Sequence, residues 1–331
     1  KVTFGYLEKL PYREAIKTRL TQLWDYPKTG TPFNVSGRWF VFKNDGLQNQ
    51  SVLYTMDDPK EEPRLLLDPN KLSDDGTVAF SGMDVTPDGK TLVYKIARSG
   101  SDWNEIFAMD IETGNLLSDH IKWVKFSGVS CYDDGFFYSA YDEPKKGSEL
   151  SSQNQAQKVY FHKLGTNQSE DKLIYSNPTN ASRMYGAGMD ETRRYLFITE
   201  SESTSGNGLY VQDLTKKNAP IVHLAAGFDF DYSPITVIDG NVLVNTNDGA
   251  PKYHIISINI EKPARENWNV VIPESENTIE GVNMAGGRLF VNYMADAKSK
   301  VQIFLPDGTF QSDLEQCCLP RQYPNEVESL L

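Results

Sequence analysis

The sequence predicts an all-β repeat fold, a β-propeller preceded by a short helical segment. Two observations carry that reading. A strand-like run, a tight Asp-Gly or Gly-Gly turn and a second strand of large apolar residues recur about every 40–50 residues. The phrase is seen at Asp88-Gly89 before Leu92-Val93-Tyr94 and at Asp134-Gly135 before Phe136-Phe137-Tyr138. It returns at Asp239-Gly240 before Val242-Leu243-Val244 and at Gly286-Gly287 before Leu289-Phe290-Val291. Such dipeptides supply the positive φ angles of hairpin turns, and the flanking alternation is that of half-buried strands. The second observation is a β-favouring composition, with 17 tyrosines and 16 phenylalanines in 331 residues. Repeats of this length built from short strands read as propeller blades.

Residues 1–24 form the helical lead-in. Leu7, Leu10, Ile16, Leu20 and Leu23 lie near helical spacing, and Pro11 suits a helix start. Tyr26-Pro27 and Gly30-Thr31-Pro32 end it. The propeller is expected over residues 25–315, as six strand units at about 33–70, 75–120, 121–176, 182–225, 226–273 and 278–315. A polar insertion, Lys145 to Gln157, interrupts the third unit and reads as an exposed loop. Residues 316–331 have no strand pattern and form a separate tail.

Apolar residues make up 39% and charged residues 24%, enough for a globular core. The net charge of −12 argues against nucleic-acid binding, which needs clustered Lys and Arg. No apolar run reaches membrane-spanning length, so neither nucleic acid nor membrane is an expected partner. Of three cysteines, Cys317 and Cys318 are adjacent, so a bridge between them would be strained and no disulfide framework is expected. The chain starts at Lys1, not at an initiator methionine, which leaves the compartment open between cytoplasm and periplasm.

Catalytic motifs are absent. A nucleophile elbow needs Gly-x-Ser-x-Gly, and the nearest stretch, Gly128-Val129-Ser130-Cys131-Tyr132, lacks the second glycine and sits in a strand pattern. The four histidines, His120, His162, His223 and His254, each occur singly, and a base role needs a partner that the sequence does not display. Asp229-Phe230-Asp231 would place two carboxylates on one strand face without a third ligand, and Asp74-Asp75-Gly76 reads as a turn. Phosphate loops and dinucleotide fingerprints are missing, so neither metal nor cofactor is expected. Sequons at Asn34, Asn49, Asn167 and Asn180 matter only in a eukaryotic secretory setting.

Several phrases are more specific than a generic propeller. They are Phe42 to Tyr54 (Phe-Lys-Asn-Asp-Gly-Leu-Gln-Asn-Gln-Ser-Val-Leu-Tyr), Leu66 to Asn70, Leu72 to Ala79, Ser99 to Trp103, Val124-Lys125-Phe126-Ser127, and His162 to Asp171. In order and spacing they closely resemble the propeller of the prolyl oligopeptidase family, over roughly residues 1–314. The resemblance implies a seven-bladed propeller, with about six blades present here, that caps an α/β-hydrolase domain. It implies a serine endopeptidase that cleaves short peptides after proline, with the propeller restricting access. The helical lead-in would pack on the hydrolase domain, which would be this chain's own partner in a longer protein. The Ser-Asp-His triad of the family belongs to that domain, so no catalytic residue is assigned here and the chain alone is expected to be inactive.

By motif, Phe126 falls on the family's pocket aromatic and Met184 on its pocket methionine. The family's arginine and cysteine in the fourth blade align with Glu200 and Ser203, which are therefore possible substrate-site positions with altered chemistry. The tail beginning at Cys317 matches nothing in the family pattern. A stand-alone propeller acting as a binding or scaffold module is the alternative, because the fold hosts many functions.

Overall fold

The recurrent phrases fold as antiparallel hairpins. In the computed structural model, which describes residues 2–314, Asp239 and Gly240 (φ 48° and 75°) turn the chain between strands Tyr232–Ile238 and Asn241–Thr246. Gly286 and Gly287 (φ 55° and 73°) do the same between Thr278–Ala285 and Arg288–Ala295. Two consecutive positive φ angles match the right-handed twist of the flanking strands. The Asp134-Gly135 phrase behaves differently. Its turn lies one residue earlier, at Asp133-Asp134, and Gly135 already pairs within strand Gly135–Ala140. A Cβ on Gly135 would lie 2.0 Å from the His162 carbonyl oxygen, so glycine is required there by close approach.

The chain divides into two compact units, one ending at Glu202 and one starting at Ser203. In the first, strands Phe33–Val35, Arg38–Asn44, Val52–Met56 and Arg64–Leu67 form a meander, with Lys28–Thr29 added on Arg38–Asn44. A second meander runs through Val78–Val85, Thr91–Arg98, Asn104–Asp110 and Leu116–Val124. A third comprises Ser130–Tyr132, Gly135–Ala140, Lys158–Lys163 and Lys172–Tyr175, and the Ala140–Val124 pair joins it to the second. Strands Met184–Met189 and Tyr195–Ser201 close this unit as a hairpin. The second unit holds the hairpin Gly208–Asp213 and Val222–Ala225 and two further meanders, Tyr232 to Ile272 and Thr278 to Asp313. The tail expected over 316–331, with Cys317 and Cys318, lies outside the described residues.

Apolar side chains bury between successive meanders. Phe40, Leu53, Leu92 and Ile111 fill the space between the first two, and Val93, Ile121, Phe136 and Tyr138 the next. In the second unit Leu243, Ile255, Leu289 and Phe304 form the equivalent layer. Each fully buried side chain of this size contributes about 1.5–3 kcal/mol. The aromatic surplus is concentrated in a run of ring contacts, Phe33–Phe42–Phe80–Tyr94–Phe107–His120, with centroids 4.5–6.5 Å apart.

The helical lead-in forms two helices, Val2–Leu7 and Arg13–Trp24. Pro11 precedes the N-cap, Tyr12, instead of occupying the first helical position. Neither helix buries a residue. Lys28 secures the C-terminal end of the second helix by donating from Nζ to the Trp24 and Gly46 carbonyls, both at 2.8 Å.

Arg193 ties together four segments of the first unit. It stands in the turn after Met184–Met189 with φ 54°, where the corresponding turn of the second meander has Gly89 at φ 72°. Its Nη2 donates to Ser36 Oγ (3.1 Å) and the Val85 carbonyl (3.0 Å), and lies 3.4 Å from Asp84 Oδ1. Its Nη1 donates to the Cys131 carbonyl, while the Cys131 amide donates to Asp84 Oδ2 at 2.7 Å. Charge-assisted bonds offset the left-handed backbone of a β-carbon-bearing residue, which costs about 1–2 kcal/mol.

Candidate substrate-site wall and its relatives

Phe126 follows strand Leu116–Val124 with a left-handed backbone (φ 51°) and a ring that is 57% exposed. A large apolar ring held outward at a costly φ is not core material. The Lys125 ammonium lies 5.1 Å from the Phe126 ring centroid and 5.3 Å from that of Trp103, and pairs with Asp102 at 3.3 Å. Trp103 is fixed in turn: it meets Trp123 and Tyr141 edge-on, and its Nε1 donates to the Glu149 carbonyl at 2.8 Å. Beside these groups is a cleft of about 220 Å³ lined by Ser101, Trp103, Lys125, Glu149 and Asn154 among others. After Phe126, Ser127 Oγ accepts from the Ser139 amide at 2.8 Å and the Ser127 carbonyl accepts from Lys95 Nζ. Burial lowers the pKa of Lys95.

Met184 begins strand Met184–Met189 opposite Ser201 and is half-buried. Its neighbour Tyr185 is buried and donates its hydroxyl to Glu200 Oε1 at 3.2 Å. Burial, then the Glu200 charge, pushes the Tyr185 phenol well up. Glu200 is itself buried and paired: Arg183 Nη1 donates to it at 3.1 Å, and Arg183 Nε donates to Glu202 at 2.9 Å. The Glu200 carboxylate is therefore held by an arginine one residue before Met184. Ser203 opens the second unit, is exposed, and accepts from the Thr204 amide at 2.6 Å.

Gln157 links the Phe126 and Met184 segments. It ends a polar stretch whose composition predicts an exposed loop; residues around 145–155 are indeed largely exposed, but Gln157 is 1% exposed. Its Nε2 donates to the Lys125 carbonyl and its Oε1 accepts from the Tyr185 amide, both at 2.6 Å. A lone glutamine at the end of a Ser- and Gln-rich stretch gives no signal of burial. The strand that starts one residue later is the only local hint.

Three of the four histidines have partners that sequence spacing conceals, while the buried His254 Nε2 has none among the described residues. His162 is fully buried, with Nδ1 2.6 Å from Asp171 Oδ1 and Nε2 3.0 Å from Asp119 Oδ1. His120 Nε2 meets Glu105 at 2.5 Å, and His223 stacks on Tyr210. Among the described residues no histidine bonds a serine hydroxyl, and no group of three His, Cys, Asp or Glu is arranged to hold a metal. Asp229 and Asp231 do not share a strand face, since both precede strand Tyr232–Ile238. Asp231 accepts from the Gly206 amide and the Tyr253 hydroxyl.

The comparisons agree with this architecture. Residues 1–319 match the family model for the prolyl oligopeptidase N-terminal β-propeller domain. The chain is 39% identical over 310 residues to a prolyl endopeptidase of Elizabethkingia meningoseptica, covering 93% of this chain and 43% of that protein. It is 37% identical over 316 residues to a prolyl endopeptidase of Elizabethkingia miricola, covering 95% and 44%. Among solved structures, prolyl oligopeptidase B of Galerina marginata bound to a 25mer macrocyclization substrate superposes with a TM-score of 0.86 at 26% identity, over 95% of this chain and 47% of that one. The chain thus spans less than half the length of these relatives. It belongs to the prolyl oligopeptidase family, as an N-terminal β-propeller domain.

Proposed function

We propose that this chain is the substrate-gating propeller of a serine endopeptidase that cleaves short peptides after proline. In this reading Phe126 and Met184 supply apolar walls to the peptide site, and an α/β-hydrolase domain of the same protein supplies the triad. The observation that carries the proposal is the family match along residues 1–319, which leaves more than half of each relative's length unaccounted for. The outward Phe126 ring, held at positive φ beside a braced Lys125–Trp103 pair, supports its assignment as a wall. Glu200, paired with Arg183, sets the polarity next to Met184.

The test is the reading frame after residue 331, followed by assay. A Gly-x-Ser-x-Gly motif with Asp and His after it, and a full-length product that cleaves a chromogenic proline peptide, is the expected result. The 331-residue chain alone should show no turnover that a serine-directed inhibitor blocks. A frame without those motifs would make the chain a stand-alone binding module instead.

A further inference from the structure

We infer that Gln157 is a positioning residue, which fixes the separation of Phe126 and Met184 through one buried carboxamide. The inference rests on the reading of those two residues as walls of the peptide site. The Lys125 carbonyl belongs to the same planar peptide unit as the Phe126 nitrogen, and the Tyr185 amide to the same unit as the Met184 carbonyl. Gln157 donates to the first and accepts from the second, each at 2.6 Å. One rigid side-chain amide therefore spans the two peptide planes that carry the two walls. The orientation of that amide is settled by its partners, because only the NH₂ can face a carbonyl and only the oxygen an N–H. A second bond runs parallel to it: the Ala156 amide donates to the Ala181 carbonyl at 2.6 Å.

Phe126 depends on such a hold. Its left-handed backbone is intrinsically unfavourable, and a 57% exposed ring has little packing to keep it there. The Gln157 bond on one side and the Ser127–Ser139 bond on the other fix the segment from both ends. Glutamate at position 157 keeps the size and the acceptor facing Tyr185 but sets an oxygen against the Lys125 carbonyl. That change should release Phe126 while leaving the Met184 strand paired.

The experiment compares Gln157→Glu, Phe126→Ala and the double variant in the full-length gene product, with a proline-containing peptide as substrate. The expected result is a KM raised about tenfold by Q157E, with kcat changed less than about twofold, and little further rise in the double variant. In the 331-residue chain, a ¹⁹F label on the Phe126 ring should shift or broaden in Q157E, while one on the buried Phe136 ring stays unchanged. If Q157E does not fold, Gln157→Met, similar in length and without the polar amide, carries the same test. A KM raised by F126A but unmoved by Q157E, with an unshifted label, would overturn the positioning role and leave the function standing. A KM unmoved by F126A would overturn the wall assignment and the role of Gln157 with it. Equal, additive losses in kcat and KM would reduce Gln157 to a purely structural residue.

Discussion

His162 Nδ1 lies 2.6 Å from Asp171 Oδ1 while its Nε2 lies 3.0 Å from Asp119 Oδ1, so one buried imidazole bridges two carboxylates. Tyr138 donates to the second oxygen of Asp171 at 2.5 Å, and the Gly165 amide donates to Asp119 at 2.6 Å. The cluster joins strand Leu116–Val124 of the second meander to strand Lys158–Lys163 of the third.

Its charge state makes stability depend on pH. Burial alone would lower the His162 pKa, but hydrogen bonds and charge from Asp119 and Asp171 outweigh it and raise it from 6.5 to about 9. A folded value above the unfolded one means that the native state holds the proton more tightly. The contribution, about 3 kcal/mol on an order-of-magnitude basis, is full below about pH 6.5 and is lost as pH rises through about 9. The Tm should fall across that window, and His162→Gln should be less stable at pH 6 but lack the decline. An equal decline in H162Q, measured by calorimetry from pH 6 to 9.5, would locate the titration elsewhere.

Arg193 should tolerate neither alanine nor glycine. Glycine relieves the positive φ but leaves the Asp84 carboxylate and the Cys131 carbonyl without the guanidinium. We expect Arg193→Gly to lose about 2 kcal/mol and Arg193→Ala about 1 kcal/mol more, from the charge-assisted bonds and the backbone strain respectively. Urea midpoints at constant m-value test the order. R193G at or above the parent would show that the turn geometry, and not the side chain, sets stability there.

Repeat and fold class were legible in the sequence because hairpin turns are local. Asp239-Gly240 and Gly286-Gly287 announce themselves by the φ angles that only a few residues accept. The Phe126 and Met184 assignments came from motif resemblance, and local pattern alone would have left them as core candidates. What stayed hidden depends on contacts across long sequence separations. Gln157 binds partners 32 and 28 residues away, Arg193 reaches Ser36 across 157 residues, and His162 meets Asp119 across 43. No periodicity marks a polar residue whose partners lie on distant strands or loops. Gly135 shows the converse error: a turn dipeptide was readable, but glycine is there for the approach of the His162 carbonyl.

Phe126→Ala should separate binding from folding. Phe126 is 57% exposed and loses only its contact with the Lys125 ammonium, so its removal should change fold stability by no more than about 1 kcal/mol. Loss of a well-packed apolar contact to a peptide is worth about 1–3 kcal/mol, seen as a rise of about five- to 150-fold in KM of the full-length product. Met184, half-buried at the start of its strand, should show both effects on truncation. A drop in Tm for F126A with KM unchanged would return Phe126 to a structural role.

The lead-in helices provide the last test. Ile16, Leu20, Leu23 and Trp24 share one face of helix Arg13–Trp24 at helical spacing, and each is more than half exposed. A 12-residue helix with no buried side chain has little but its own hydrogen bonds and the Lys28 cap to hold it, and isolated helices of that length are marginal in water. Its amides in the 331-residue chain should therefore exchange with an opening free energy of about 0–1 kcal/mol, while those of Leu92 and Phe136 exchange only on global unfolding. In a full-length product whose hydrolase domain covers that face, the same amides should slow by at least tenfold. Leu20→Glu should then leave the 331-residue chain unchanged in Tm and destabilise the full-length product, because only there would a charge be buried. Core-like protection of the helix in the 331-residue chain, or equal tolerance of L20E in both contexts, would show that the apolar face has no partner in the rest of the protein.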